Sequence, residues 1–209
     1  MIVIGLTGSI GMGKSTAAKM LSEMGLPVHD SDATVHELLG PNGKAVEAVG
    51  KLCPEALQTN AAGEKFIDRK LLGPHFFTNP ALKQQVEDIL FPLVRQSGDD
   101  FVEKKKKEGC RAVVLDIPLL FEVGRDKDVD VTIVVTAPKE VQRERVLARG
   151  TSPERLEAVL KSQMPDEEKR LKAKHVVETH RGLDDTRKQL RAVVDKLLPP
   201  PPTRPKFCL

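Results

Sequence analysis

The run Ile2 to Thr7 is short and almost continuously apolar, the pattern of a strand buried on both faces. After a glycine-rich stretch, Ala17, Met20, Leu21 and Met24 recur at helical spacing and Gly25 follows as a C-terminal cap. Leu26-Pro27-Val28 then reads as a second strand, ending in His29-Asp30-Ser31-Asp32. Strand, turn, helix, strand is the opening of a parallel α/β sheet. From Thr34 to Glu108 the pattern is mostly helical. Leu82, Val86, Ile89, Leu90, Leu93 and Val94 form one apolar face, and Pro92 inside it predicts a kink or a division into two helices. Gln58 to Lys65 is polar and reads as an exposed loop, and the Lys104–Lys107 run as a solvated helix end. Strand and helix alternate again afterwards. Ala112–Asp116, Val131–Val135 and His175–Glu178 read as strands; Lys139–Ala148, Pro153–Leu160, Glu167–Ala173 and Asp184–Leu198 read as helices. The pattern predicts one domain over residues 1–198, with a parallel-sheet core at 1–33 and 110–198. A helical insertion occupies 34–109, and a basic helical flap lies within the core span. Pro199 to Pro202 opens a tail, 199–209, expected to be disordered.

Charge changes this picture little. The 33 Lys and Arg against 30 Asp and Glu leave +3, and without Arg204 and Lys206 of the tail the body is nearly neutral. With Trp and Tyr both absent, stacking platforms are scarce as well, so nucleic acid is not an expected partner. Cys53, Cys110 and Cys208 form no CxxC pair, which excludes a disulfide framework or zinc ribbon and fits a reducing compartment. The longest apolar run, Ala112 to Phe121, is interrupted by Asp116 and Pro118 and is too short for a membrane span. No leader pattern stands at the N-terminus. The expectation is a soluble, cytoplasmic monomer.

The chemistry begins at Gly8-Ser9-Ile10-Gly11-Met12-Gly13-Lys14-Ser15, which satisfies GxxxxGK[ST] between a buried strand and an amphipathic helix. Glycines let backbone N–H groups turn onto phosphate oxygens at the positive end of a helix. Lys14 reaches the β- and γ-phosphates, and Ser15 holds Mg²⁺. Nucleoside triphosphate binding follows, while the glycine spacing does not fit a dinucleotide fold. Asp30 and Asp32 close the second strand at the sheet edge where ligands bind. Each has two readings: a carboxylate that accepts a proton from an attacking hydroxyl, or a helix cap. Asp116 after the next strand is either a Mg²⁺-steadying acid acting through water or a turn cap. Arg143, Arg145, Arg149, Arg155, Lys169 and Arg170 concentrate cations in the late helices. Most such charges face water, so one or two are expected to act on phosphate. The five histidines show no metal-ligand spacing.

The segments IGLTGSIGMGKST, VHDSDATVHELL, VVLDIPLLFE and QMPDEEKR, in that order, resemble the successive signatures of the dephospho-CoA kinase family from about Ile2 to Val194. The resemblance implies transfer of the ATP γ-phosphate to the ribose 3′-hydroxyl of dephospho-CoA. It also implies an adenylate-kinase-like core of five parallel strands. By position it makes Asp32 the general base. Gly8 and Gly11 through Thr16 (Met12, Gly13, Lys14 and Ser15 included) become the nucleotide-binding loop. The helices after the second strand become the acceptor region, and Arg149 within a lid of about 149–173 a catalytic cation. Three departures stand out: Phe91-Pro92 where the family often has His-Pro, a junction at Arg149–Pro153 one residue short, and the sequence Glu178–Gly182 near the last strand. Rival readings are another P-loop kinase with a different small acceptor and a GTPase-like switch. The latter needs an NKxD motif, and Lys139-Glu140-Val141 follows the relevant strand instead.

Overall fold

The computed structural model describes residues 1–199. In chain order the elements are β1 (Ile2–Thr7), α1 (Lys14–Glu23), β2 (Val28–Asp30), α2 (Ser31–Leu39), α3 (Val46–Leu52), β3 (Leu57–Thr59), β4 (Lys65–Ile67), α4 (Arg69–Thr78), α5 (Pro80–Lys107), β5 (Ala112–Asp116), β6 (Val131–Thr136), α6 (Lys139–Ala148), α7 (Pro153–Ser162), α8 (Asp166–Lys172), β7 (His175–Glu178) and α9 (Leu183–Leu197). They fall into two compact units. One comprises Met1–His29 with Lys105 onward, and the other Asp30–Lys104. The tail beyond Pro199 lies outside the described residues.

The first unit is built on a five-stranded parallel sheet of order β2-β5-β1-β6-β7. β1 is central, pairing with β5 from Ile2↔Ala112 to Leu6↔Asp116 and with β6 from Ile4↔Val131 to Thr7↔Val134. Parallel strands flanked by helices bury both faces, which is why β5 is apolar without alternation and buried throughout. Ile4, Leu6, Val114, Ile133 and Val135 pack with Met20 and Leu21 of α1 and with Leu190 and Val194 of α9. Because β1 sits between two parallel neighbours, the loops after β1, β5 and β6 leave the sheet at one carboxyl edge. Open α/β sheets bind ligands at such an edge.

One detail of the second strand differs from the sequence reading. The strand begins at Val28 rather than at Leu26, because Leu26 is still tied to the end of α1 through Leu21 O at 3.2 Å. Pro27, with no N–H, contributes its carbonyl to Val114 N at 2.8 Å.

The second unit is helical with its own core, in which Leu38, Val46, Val49, Leu72, Leu82 and Val86 are buried. Two expectations are narrowed here. The polar stretch Gln58–Lys65 is a loop only at its centre: its ends lie in an antiparallel hairpin, β3 with β4, registered Leu57↔Ile67 through Thr59↔Lys65. The Asn60 side chain accepts from the Ala62 and Glu64 amides, both at 3.0 Å, so the turn is closed by side-chain bonds that composition hides. Of the two readings of Pro92, division into two helices is excluded: α5 runs unbroken from Pro80 to Lys107. Leu82, Val86 and Leu90 before it and Leu93 and Val94 after it belong to one core, and that burial outweighs the loss of a helical hydrogen bond. Cys53, buried, donates to Glu55 Oε2 at 3.6 Å, and His75 is brought close to both.

Candidate active site

The glycine-rich loop crosses from β1 to α1 against the end of β6. A Cβ on Gly8 would stand 2.5 Å from Val135 Cγ2 and 2.7 Å from the Val135 carbonyl oxygen, so only glycine lets the loop lie this close to the sheet. Gly13, with φ of +91°, is the N-cap of α1 and offers no side-chain oxygen to the first-turn amides. The loop carbonyls are held from behind. Gln142 Nε2 donates to Ile10 O at 2.7 Å, and Thr179 Oγ1 donates to Met12 O at 2.8 Å. The Arg145 guanidinium reaches Gly11 O at 3.5 Å and Thr179 O at 2.7 Å. Met12 is buried, and its sulfur accepts from Ala137 N at 3.1 Å. Carbonyls so engaged turn the peptide units outward, and a cradle of amides at a helix N-terminus suits an anion.

Lys14 and Asp116 meet at this loop, Nζ to Oδ1 at 2.6 Å, with side chains 13% and 3% exposed. Asp116 is buried because it ends a strand that is covered on both faces, and the backbone at Ile117 returns to Leu6 O at 3.0 Å. Ser15 and Thr16 are exposed in the first turn of α1. A cleft of about 360 Å³ opens beside this turn, lined by Gly13, Thr16, Arg149, Thr179 and Leu183. Arg149, at the C-cap of α6, is exposed there. A second cleft of about 480 Å³ lies on the other side of the loop, between Ser9, Arg143, Leu156, Asp166 and Arg170.

The two acids of the second strand take different places. Asp30 is the N-cap of α2, accepting from the Asp32 and Ala33 amides at 2.9 and 3.1 Å. Asp32 is exposed in the first turn of α2, in the second unit, where its carboxylate is not the cap.

The six late cations also separate. Arg143 is exposed and paired with Glu157 at 3.5 Å, and Arg149, Arg155 and Arg170 are exposed. Arg145 turns inward to brace the loop. Lys169 does not share the solvated face expected of most of the six: it is wholly buried and 2.9 Å from Glu122 Oε1. Half-burial pushes the Asp166 carboxyl above the usual carboxylate range, against the opposing hydrogen bond from Thr136 Oγ1 at 2.6 Å and the charge of Arg170. Sequence reasoning left Gln142, Thr179 and Gln163 unassigned. Gln163 stands in QMPDEEKR, so the motif itself pointed toward it; its Oε1 accepts from Ile10 N at 3.2 Å. Nothing in the spacing marks Gln142.

A phosphate loop between the central strand and first helix of a parallel sheet, with a lysine and a strand-end acid meeting at it, defines a P-loop nucleotide-binding kinase. The profile of the dephospho-CoA kinase family matches residues 2–185. A dephospho-CoA kinase of Rhodopseudomonas palustris (strain HaA2) is 45% identical over 206 residues, covering 98% of this chain and 100% of the relative. One from Mesorhizobium japonicum is 47% identical, covering 94% and 97%. The solved dephospho-CoA kinase of Campylobacter jejuni superposes with a TM-score of 0.69 at 30% identity, covering 93% of this chain and 96% of that one. A crystal structure from Thermus thermophilus gives 0.77 at 36% identity, covering 94% and 97%. The chain belongs to the dephospho-CoA kinase family.

Proposed function

We propose that this protein transfers the γ-phosphoryl group of ATP to the ribose 3′-hydroxyl of dephospho-CoA, giving coenzyme A, with Mg²⁺ as the nucleotide's metal. The observation that carries the reading is the Lys14–Asp116 pair at the phosphate loop of a chain in this family. Gly8, Gly11, Met12, Gly13, Lys14, Ser15 and Thr16 bind the ATP phosphates, the amides supplying hydrogen bonds and Lys14 a mobile cation. When ATP arrives, Lys14 exchanges its carboxylate partner for β/γ-phosphate oxygens. The Ser15 hydroxyl and, through water, the buried Asp116 would hold a Mg²⁺ ion, which would supply charge to offset that of the phosphates. The nucleoside lies in the cleft lined by Thr16, Arg149, Thr179 and Leu183.

Asp32 accepts the proton of the 3′-hydroxyl. Asp30 caps α2, while Asp32 stands exposed in the first turn with its backbone amide held by that same cap. Residues 34–109 form the acceptor-binding region, and 149–173 form a lid that brings Arg149 to the transferring phosphoryl group. The product test is mass spectrometry after incubation with ATP, Mg²⁺ and a panel holding dephospho-CoA, nucleoside monophosphates and small alcohols. The expected product comes from dephospho-CoA alone, is one phosphoryl group heavier and co-elutes with authentic coenzyme A. Phosphorylation of another acceptor in its place would overturn the assignment.

A further inference from the structure

Lys169 is the largest fully buried side chain among the described residues, with no exposed surface. A lysine so placed cannot touch a substrate. Its charge is answered by Glu122, whose Oε1 lies 2.9 Å from Nζ and also accepts from the Met164 amide at 2.8 Å. Glu122 belongs to the loop that follows Asp116, and Met164 and Lys169 belong to the return of the 149–173 segment. That return has two further ties, each to a different part of the nucleotide-binding unit. Gln163 Oε1 accepts from Ile10 N in the phosphate loop at 3.2 Å, and Asp166 Oδ2 accepts from Thr136 Oγ1 at the end of β6 at 2.6 Å. The buried side-chain polar atoms without a hydrogen-bond partner among the described residues gather here: Glu122 Oε2, Asp166 Oδ1 and Lys169 Nζ.

Stability alone is a poor reason for such a pair. A buried ion pair can often be replaced by apolar residues of similar volume at little or no loss, whereas its directionality fixes one register of the segments it joins. The segments joined here are the two that carry the strand-end acid and the phosphate-loop contact. We propose that Glu122 and Lys169 are positioning residues for phosphoryl transfer: their buried pair pins the return of the 149–173 segment to the loop after Asp116. It thereby sets Gln163 against Ile10 and fixes the base from which Arg149 and α7 close. The proposal rests on the reading of that segment as the lid.

The test is Lys169→Met, which keeps length and burial, leaving the partly exposed Glu122 its bond from Met164. Lys188→Met on the exposed face of α9, outside that segment, is the control. Misplacing a closing element costs chemistry more than ground-state binding. In folded Lys169→Met, kcat at saturating ATP and dephospho-CoA should therefore fall about 10- to 100-fold while KM for ATP stays within about threefold. If that variant does not fold, Glu122→Gln/Lys169→Met, which removes both charges together, is measured in the same way. A kcat within about twofold of the parent overturns the proposal, whatever happens to melting temperature. A second readout needs no acceptor: with a non-hydrolysable ATP analogue bound, hydrogen exchange across Gln163–Lys169 should accelerate in the variant and not in Lys188→Met. Should the parent fail to phosphorylate dephospho-CoA, the proposed reaction falls. The exchange measurement then decides the pair, unchanged exchange overturning it and faster exchange supporting it.

Discussion

Lys14 and Asp116, 102 residues apart in sequence, are joined by a 2.6 Å contact between Nζ and Oδ1. The contact follows from the register of two strands. β1 and β5 run parallel with Leu6 opposite Asp116, so the loop after the first strand and the acid ending the other emerge side by side. In the proposed reaction this buried carboxylate stores the lysine that ATP takes up, so that nucleotide binding is an exchange of partners.

Removing Lys14 should therefore cost stability as well as activity. Lys14→Ala is expected to lose detectable phosphoryl transfer. It should also lose stability, by up to the about 3–5 kcal/mol typical when one partner of a buried pair is deleted. Adding Asp116→Asn should recover part of the stability and none of the turnover. Urea melts and kcat for the parent, the two single variants and the double variant check both halves. A Lys14→Ala protein of normal turnover would remove the lysine from the mechanism.

Asp30 and Asp32 should part company on substitution. Asp32→Asn is expected to lower kcat on dephospho-CoA by about two to four orders of magnitude, with ATP affinity little changed. Asp30→Ala should instead cost about 1 kcal/mol of stability, through loss of the α2 cap, and far less activity. Turnover at saturating acceptor, with urea melts of both variants, tells them apart. If Asp32→Asn keeps more than about a tenth of parental turnover, the general-base assignment fails.

Gly8→Ala should lose ATP binding and about 1–3 kcal/mol of stability, because the added methyl meets both the side chain and the carbonyl of Val135. Val135→Ala in the same chain should not rescue it, since the carbonyl oxygen at 2.7 Å from the new Cβ remains. Calorimetric titration with an ATP analogue is the measurement, and full rescue would show that the loop is free to shift.

Asp166 should show in the pH dependence of stability. Its carboxyl is raised in the folded protein, chiefly by burial, so the folded state binds that proton more tightly than the unfolded chain does. Its favourable contribution is complete below the ordinary carboxylate value and fades as pH rises through the raised one. Asp166→Asn keeps an acceptor for Thr136 Oγ1 and carries no charge to desolvate. Its melting temperature should therefore gain on the parent's as pH rises from the ordinary carboxylate value through the raised one. A difference constant over that range would show that Asp166 does not titrate against folding.

Much of this molecule was legible in its sequence for one reason: parallel strands and the phosphate loop are local patterns. Ile2–Thr7, Ala112–Asp116 and Val131–Val135 announce themselves because strands buried on both faces need nearly unbroken apolar runs. GxxxxGKS announces the loop because tight backbone approach to an anion needs glycine at set places. The four ordered motifs carried the family as well. What the sequence left undecided depended on partners far along the chain. Whether Pro92 breaks a helix was settled by a core that packs on both sides of it, and whether Gln58–Lys65 forms strands by pairing across the Asn60 turn. The split between Asp30 as cap and Asp32 as exposed acid needed the α2 boundary itself. Lys169 shows the limit most plainly. On its own helix it is one cation among several, and only a carboxylate 47 positions earlier makes its complete burial possible, because a charge leaves water when a distant opposite charge waits for it.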